Sequence, residues 1–204
     1  MTDDKTIILT GGIGSGKSVI ARILRCNGFK VFDCDSQAKT LMQKDSELRQ
    51  TLSHKLGKDI FLDNGSINKP YLASLLFADD KVRGFVNKVV HKAVRKRILD
   101  LRENIKGLFF VETAIPDTGG LLALCDQVWM VSASLDERIK RIGLRDGFND
   151  SEILKRINTQ KKEYDNIPKD ITVVIDNDRN NKVLSNVLKM TEKFNNLKTY
   201  TISC

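Results

Sequence analysis

Residues Gly11-Gly12-Ile13-Gly14-Ser15-Gly16-Lys17-Ser18 carry the pattern G-x-x-x-x-G-K-[ST] in full. A strand-like apolar run, Thr6–Thr10, precedes them, and Val19–Leu24 follows with apolar residues at helical spacing. Strand, glycine turn and helix start are the context this pattern needs. Glycines let the backbone turn tightly, so that successive N–H groups converge on phosphate oxygens. The helix N-terminus adds partial positive charge at the same point. Lys17 is placed to reach β- and γ-phosphates, and the Ser18 hydroxyl to ligate Mg²⁺. A glycine-rich turn with a chance lysine is the alternative, and the flanks argue against it. The expectation is a nucleoside triphosphate at Gly12, Ile13, Gly14, Ser15, Gly16, Lys17 and Ser18.

The rest of the composition bounds the partners. With 204 residues, 41% of them hydrophobic, the chain can bury a sizeable core, and with 6% aromatic that core is mostly aliphatic. A formal charge of +8 points to anionic ligands, either nucleic acid or phosphorylated small molecules. Cys26, Cys34, Cys125 and Cys204 form no C-x-x-C pair, and His54 and His91 lie far apart, so no zinc site is expected. Reduced thiols in a cytosolic protein are the simpler reading. The start, Met-Thr-Asp-Asp-Lys, lacks a signal pattern. No apolar run approaches the roughly 20 residues of a membrane span. A soluble, cytoplasmic protein without membrane attachment is expected.

Strand-like runs recur at Thr6–Thr10, Lys30–Phe32, Leu108–Val111, Val128–Ser132 and Thr172–Ile175, with helical patterns between them. That alternation predicts an α/β fold with a parallel sheet covered on both faces. The interval from Asp33 to Leu108 is too long for one crossover. It holds helical patterns at Ser36–Gln43, Ser46–Leu56, Tyr71–Phe77 and Asp80–Glu103, with a turn signal at Asp63-Asn64-Gly65. One domain, 1–204, is therefore expected, with a helical insertion at about 36–105 and a second, strongly basic insertion at about 136–168. The last ten residues are expected to carry little function.

Asp33 and Asp35 follow the second strand. Ligands of open parallel sheets sit beyond the carboxyl ends of the strands, so these carboxylates should face the phosphate loop. Base and Mg²⁺-water holder, or simple turn former and helix cap, remain equally open on the residues alone. Arg138, Arg141 and Arg145 share one helical face, beside an apolar stripe of Leu135, Ile139 and Ile142. Guanidinium groups suit phosphate binding, whereas a solvated basic face is the blander reading. Gly143 is a potential break in that helix. The cluster His91-Lys92-Ala93-Val94-Arg95-Lys96-Arg97 is a second basic candidate for a phosphorylated substrate, with Lys96 read as solvated. Asp117-Thr118-Gly119-Gly120 fits D-x-x-G, but no N-K-x-D accompanies it, which excludes a GTPase.

Taken together, these segments resemble the dephospho-coenzyme A kinase family over nearly the whole chain. The resemblance runs through Leu9–Ser18, then Gly28–Ala38 with its D-x-D-x-x-A pattern, and Val90-His91 with Val94-Arg95. It continues through Arg138–Asp146, Arg156–Gln160 and Ile175-Asp176-Asn177. It implies transfer of a phosphoryl group from ATP, with Mg²⁺, to the ribose 3′-hydroxyl of dephospho-CoA. It implies a P-loop kinase core with a five-stranded parallel sheet ordered 2-3-1-4-5, a helical acceptor-binding insertion and a lid. By the same resemblance Asp35 is the catalytic carboxylate, with Lys17 and Arg141 catalytic and Arg145 on the ATP phosphates. Asn177 falls near adenine, and Asp33, His91 and Arg95 on the acceptor. Two departures stand out: Lys92 where the family has proline after the histidine, and Val111–Asp117, where Glu112 comes early and Pro116 is displaced.

Two rivals follow from the same features. A nucleoside monophosphate kinase would share the loop, the lid arginines and Mg²⁺, but not the Asp33-Cys34-Asp35 pair with its long helical insertion. A non-catalytic nucleotide- or nucleic-acid-binding module would explain the charge. No nucleic-acid-binding motif is present, however, and aromatics for base stacking are few.

Overall fold

The computed structural model describes residues 4–179 and 182–195. All of the last ten residues except Asn195 lie outside them. A five-stranded sheet has the order β2-β3-β1-β4-β5. Its strands are β1 (Lys5–Thr10), β2 (Lys30–Asp33), β3 (Leu108–Glu112), β4 (Gln127–Ser132) and β5 (Thr172–Asp176). β1 pairs in parallel with β3 and with β4, and β4 in parallel with β5. The expected α/β fold and the strand order implied by the resemblance are both observed. Each strand is one residue longer than its predicted run, at the start in β1 and β4 and at the end in β2, β3 and β5.

The described residues pack as two compact units, 4–32 with 102–179 and 182–195, and 33–101. In the first, the inner strands are buried on both faces, as parallel strands must be when helices cover them. All five residues of β3 and five of the six in β1 are buried. Helix α1 (Lys17–Cys26) adds Ile20, Ala21 and Leu24, one apolar face, to a core with Ile7, Leu9, Phe110, Trp129, Val131 and Ile175. Val187 of α8 (Val183–Asn195) joins the same core. Trp129 is fully buried; its ring meets Phe110 edge-on at 5.0 Å, and its indole N–H donates to Gln127 Oε1 at 2.8 Å. A polar tip with a partner is what allows so large a ring inside.

Between β4 and β5 lie helices α6 (Leu135–Asp146) and α7 (Asp150–Gln160). They share a small apolar cluster of Ile142, Ile153 and Ile157, with Ile139, Phe148 and the loop residue Ile13 packed against it. Gly143 does not break α6. The stop comes at Gly147, whose left-handed φ of 70° turns its N–H onto the Gly143 carbonyl. Leu135, expected in the apolar stripe, is 48% exposed in the first turn, and the stripe begins at Ile139. An Asn149–Glu152 capping box starts α7.

The second unit is helical. Its helices are α2 (Cys34–Lys44), α3 (Ser46–Leu56), α4 (Lys69–Ala78) and α5 (Asp80–Arg102), the last residue of which belongs to the first unit. Asp33, Asp45 and Asn68 cap α2, α3 and α4 by accepting backbone N–H groups. Val86, Val90, Val94 and Ile98 form a buried stripe along α5 at helical spacing.

Candidate nucleotide-binding and catalytic site

The central strand β1 delivers the chain to the phosphate loop, and α1 takes it away. Gly16 caps α1 with φ 90° and makes no side-chain cap, and the first turn holds no acid. The helix therefore offers its first N–H groups and its positive end to an anion. Among the described residues, the N–H groups of Gly14, Gly16, Lys17 and Ser18 meet no protein acceptor. A Cβ on Gly16 would collide with Asn177 Nδ2, so the position requires glycine for space as well as for its backbone angle. At the base of the loop, the buried hydroxyls of Thr10 and Ser15 have no hydrogen-bond partner among the described residues.

Lys17 Nζ lies 4.0 Å from Glu112 Oε1. Glu112 ends β3, opposite Leu9 of β1, and is 7% exposed. Its other oxygen holds Arg25 Nη2 at 3.2 Å. The motif alone did not point to Glu112 as a site residue. Finding it requires knowing that β3 is the neighbour of β1 and in which register.

Arg138 and Arg141 reach the loop from α6. Arg138 Nε donates to the Ile13 carbonyl at 2.9 Å, and partial burial lowers the pKa of its guanidinium. Arg141 donates to the carbonyls of Gly14 at 3.4 Å, Ser15 at 3.3 Å and Asn177 at 2.7 Å, and pairs with Glu137 at 3.1 Å. Asn177, buried just beyond β5, donates its amide to the Ser15 carbonyl at 2.8 Å. Gln160, the last residue of α7, accepts the Ile13 N–H at 2.7 Å. The sequence left Gln160 within a matched segment, without a role. Arg145 stands apart: both of its recorded bonds, 2.8 and 2.7 Å, go to Asp146. A cleft of about 500 Å³ opens beside Ile13, lined by Glu152, Lys155, Arg156, Thr159 and Gln160.

Four of the expected residues belong to the helical unit. Asp33 Oδ1 accepts the Ser36 N–H at 3.1 Å, so Asp33 acts as the helix cap that was one of its two readings. Asp35 sits exposed in the first turn of α2. His91 and Arg95 are one turn apart on α5, both half-buried, so they share a face. Among the described residues no group of three His, Cys, Asp or Glu could hold a metal by itself. Ser18 offers one exposed hydroxyl. A hard oxygen donor of this kind suits Mg²⁺, which prefers one or two protein oxygens together with substrate phosphates.

Comparison with known proteins bears on the chain as a whole. The dephospho-CoA kinase family model matches residues 5–182. A dephospho-CoA kinase of Porphyromonas gingivalis is 36% identical over 159 residues, covering 78% of each chain. One of Listeria innocua is 28% identical over 198 residues, covering 95% of this chain and 99% of that one. A solved structure from Thermus thermophilus superimposes with a TM-score of 0.73 at 28% identity, over 95% of this chain and 98% of that one. The phosphate loop, the strand order and a match of this length together place the chain in the dephospho-CoA kinase family.

Proposed function

We propose that this chain transfers the γ-phosphoryl group of ATP to the ribose 3′-hydroxyl of dephospho-CoA, giving CoA and ADP. The observation that carries the reading is the phosphate loop, whose amides at Gly14, Gly16, Lys17 and Ser18 meet no acceptor among the described residues, at the acid-free N-terminus of α1. The attacking oxygen forms its bond to γ-phosphorus as the bond to the β–γ bridging oxygen breaks. Its proton passes to Asp35, and ADP leaves. This is the role a kinase aspartate fills, because the chemistry needs mainly positioning and charge neutralisation.

Lys17 supplies positive charge at the β- and γ-phosphates. Arg141, already beside the loop, supplies it at the transferring group. Arg145 assists on the ATP phosphates after leaving Asp146, and Asn177 borders the adenine. Mg²⁺, bound with ATP, would spread charge from the phosphate oxygens, with the Ser18 hydroxyl as its protein ligand. Asp33, His91 and Arg95 are assigned to the acceptor. The helical unit is assigned to acceptor binding, and α6–α7 to a lid. A cytoplasmic location and independence from nucleic acid belong to the same reading. No helix among the described residues is long and apolar enough to cross a membrane.

A coupled ADP-release assay over a panel of acceptors tests the assignment. Turnover should require dephospho-CoA and Mg²⁺. Comparable turnover with nucleoside monophosphates would move the chain to the rival kinase class, and salt-sensitive oligonucleotide binding without turnover would make it a binding module.

A further inference from the structure

Both polar groups of Ile13 are held by side chains of the α6–α7 pair. Its N–H donates to Gln160 Oε1 at 2.7 Å, and its carbonyl accepts from Arg138 Nε at 2.9 Å. Its side chain packs on Ile142, Ile153 and Ile157, the apolar cluster of the same two helices. The loop apex is thus tied at three points to segments 125 and 147 residues away in sequence.

Peptide planarity turns these ties into control of the phosphate-facing amides. In a trans peptide the C=O and N–H point in opposite directions. Gln160 holds the N–H of the Gly12–Ile13 peptide, which turns the Gly12 carbonyl the other way. There it accepts the Ser15 N–H at 3.0 Å and closes the turn. Arg138 holds the carbonyl of the Ile13–Gly14 peptide, which turns the Gly14 N–H outward with no protein acceptor among the described residues. Gly14 needs φ 79° to do this. One side chain sets the turn, and the other aims the next amide.

We propose that Gln160 and Arg138 are positioning residues for ATP, acting through the two peptide planes that flank Ile13. The position of α7 then becomes part of the definition of the phosphate cradle. A lid closing over bound nucleotide would keep the loop in register, and a displaced α7 would release the Gly12–Ile13 plane. Neither residue needs to touch substrate for this. The inference rests on the loop being the ATP site, but its structural half can be measured without nucleotide.

The test uses Gln160→Met, which keeps the length and removes the carboxamide oxygen, Gln160→Glu, which keeps an acceptor oxygen, and Arg138→Ala. The ¹⁵N–¹H signals of Ile13 and Gly14 are followed in the ligand-free protein. The KM values for ATP and dephospho-CoA are then measured separately. Gln160→Met should shift the Ile13 amide signal upfield, and Gln160→Glu should restore most of that shift. Arg138→Ala should move the Gly14 signal. Gln160→Met should raise the ATP KM on the order of 10-fold, the upper range for one lost hydrogen bond between neutral groups. The dephospho-CoA KM should change far less. If Ile13 and Gly14 keep their signals in Gln160→Met and Arg138→Ala, the ties do not set the loop and the proposal fails. If the signals move but the KM values for both substrates rise equally, the residues are merely structural and the positioning role is overturned. Loss of all ATP binding by the wild-type chain would instead overturn the ATP assignment, with the amide shifts still reporting on the ties.

Discussion

Lys17 faces a buried carboxylate, and that neighbour shapes what its loss would do. Glu112 would keep Arg25 at 3.2 Å when Lys17 becomes alanine, so its charge would not be stranded. Lys17→Ala should therefore fold with a melting temperature close to wild type. Its kcat/KM should fall on the order of 10²-fold or more, the scale of one preorganised electrostatic contact. Steady-state kinetics with a thermal melt checks both, and an equally active variant contradicts the role. Asp33 and Asp35 separate on similar grounds. Asparagine caps a helix as well as aspartate does, so Asp33→Asn should keep the Ser36 bond and lose only charge. Asp35→Asn should lower single-turnover transfer roughly 10²- to 10⁴-fold, the range of general-base catalysis. A larger loss in Asp33→Asn would reverse the two roles. At this scale the motif residues were legible in the sequence, because the pattern dictates a backbone shape. Glu112 and Gln160 were not, because their roles depend on strand register and on contacts more than 100 residues apart.

Among the elements, α6 carries the clearest consequence. Arg141 lies one turn from Glu137 and directs its fork at the carbonyls of Ser15 and Asn177. Lysine keeps the charge but has neither the planar fork nor its number of donors. Arg141→Lys should stay clearly impaired in turnover, with the ATP KM raised as the Asn177 and Ser15 contacts loosen. Wild-type kinetics in that variant would show that bulk charge suffices. Element types were legible from periodicity: five strands and the helices between them follow the apolar runs closely. Gly143 and Leu135 were not. A glycine inside a helix is tolerated when its neighbour is anchored, as Ile142 is at 0% exposure, and when a stronger stop follows at Gly147. Leu135 fits the apolar spacing, yet in the first turn it lies short of the cluster that α7 covers.

For the whole molecule, alternation of strands and helices announced an α/β sheet, but periodicity carries no information on lateral order. The order 2-3-1-4-5 came from the resemblance and is the order observed. It places β1 between β3 and β4, so that Glu112 ends a strand beside the one that delivers the loop. The net charge of +8 accords with a protein whose two proposed substrates are both anionic. The most direct measurement is incubation of the purified chain with dephospho-CoA, ATP and Mg²⁺, followed by mass spectrometry of the coenzyme. The account predicts conversion of dephospho-CoA to CoA, one phosphoryl group heavier at the ribose 3′ position, with ADP formed in equal amount. Unchanged dephospho-CoA, in the presence of folded protein that binds ATP, would contradict it.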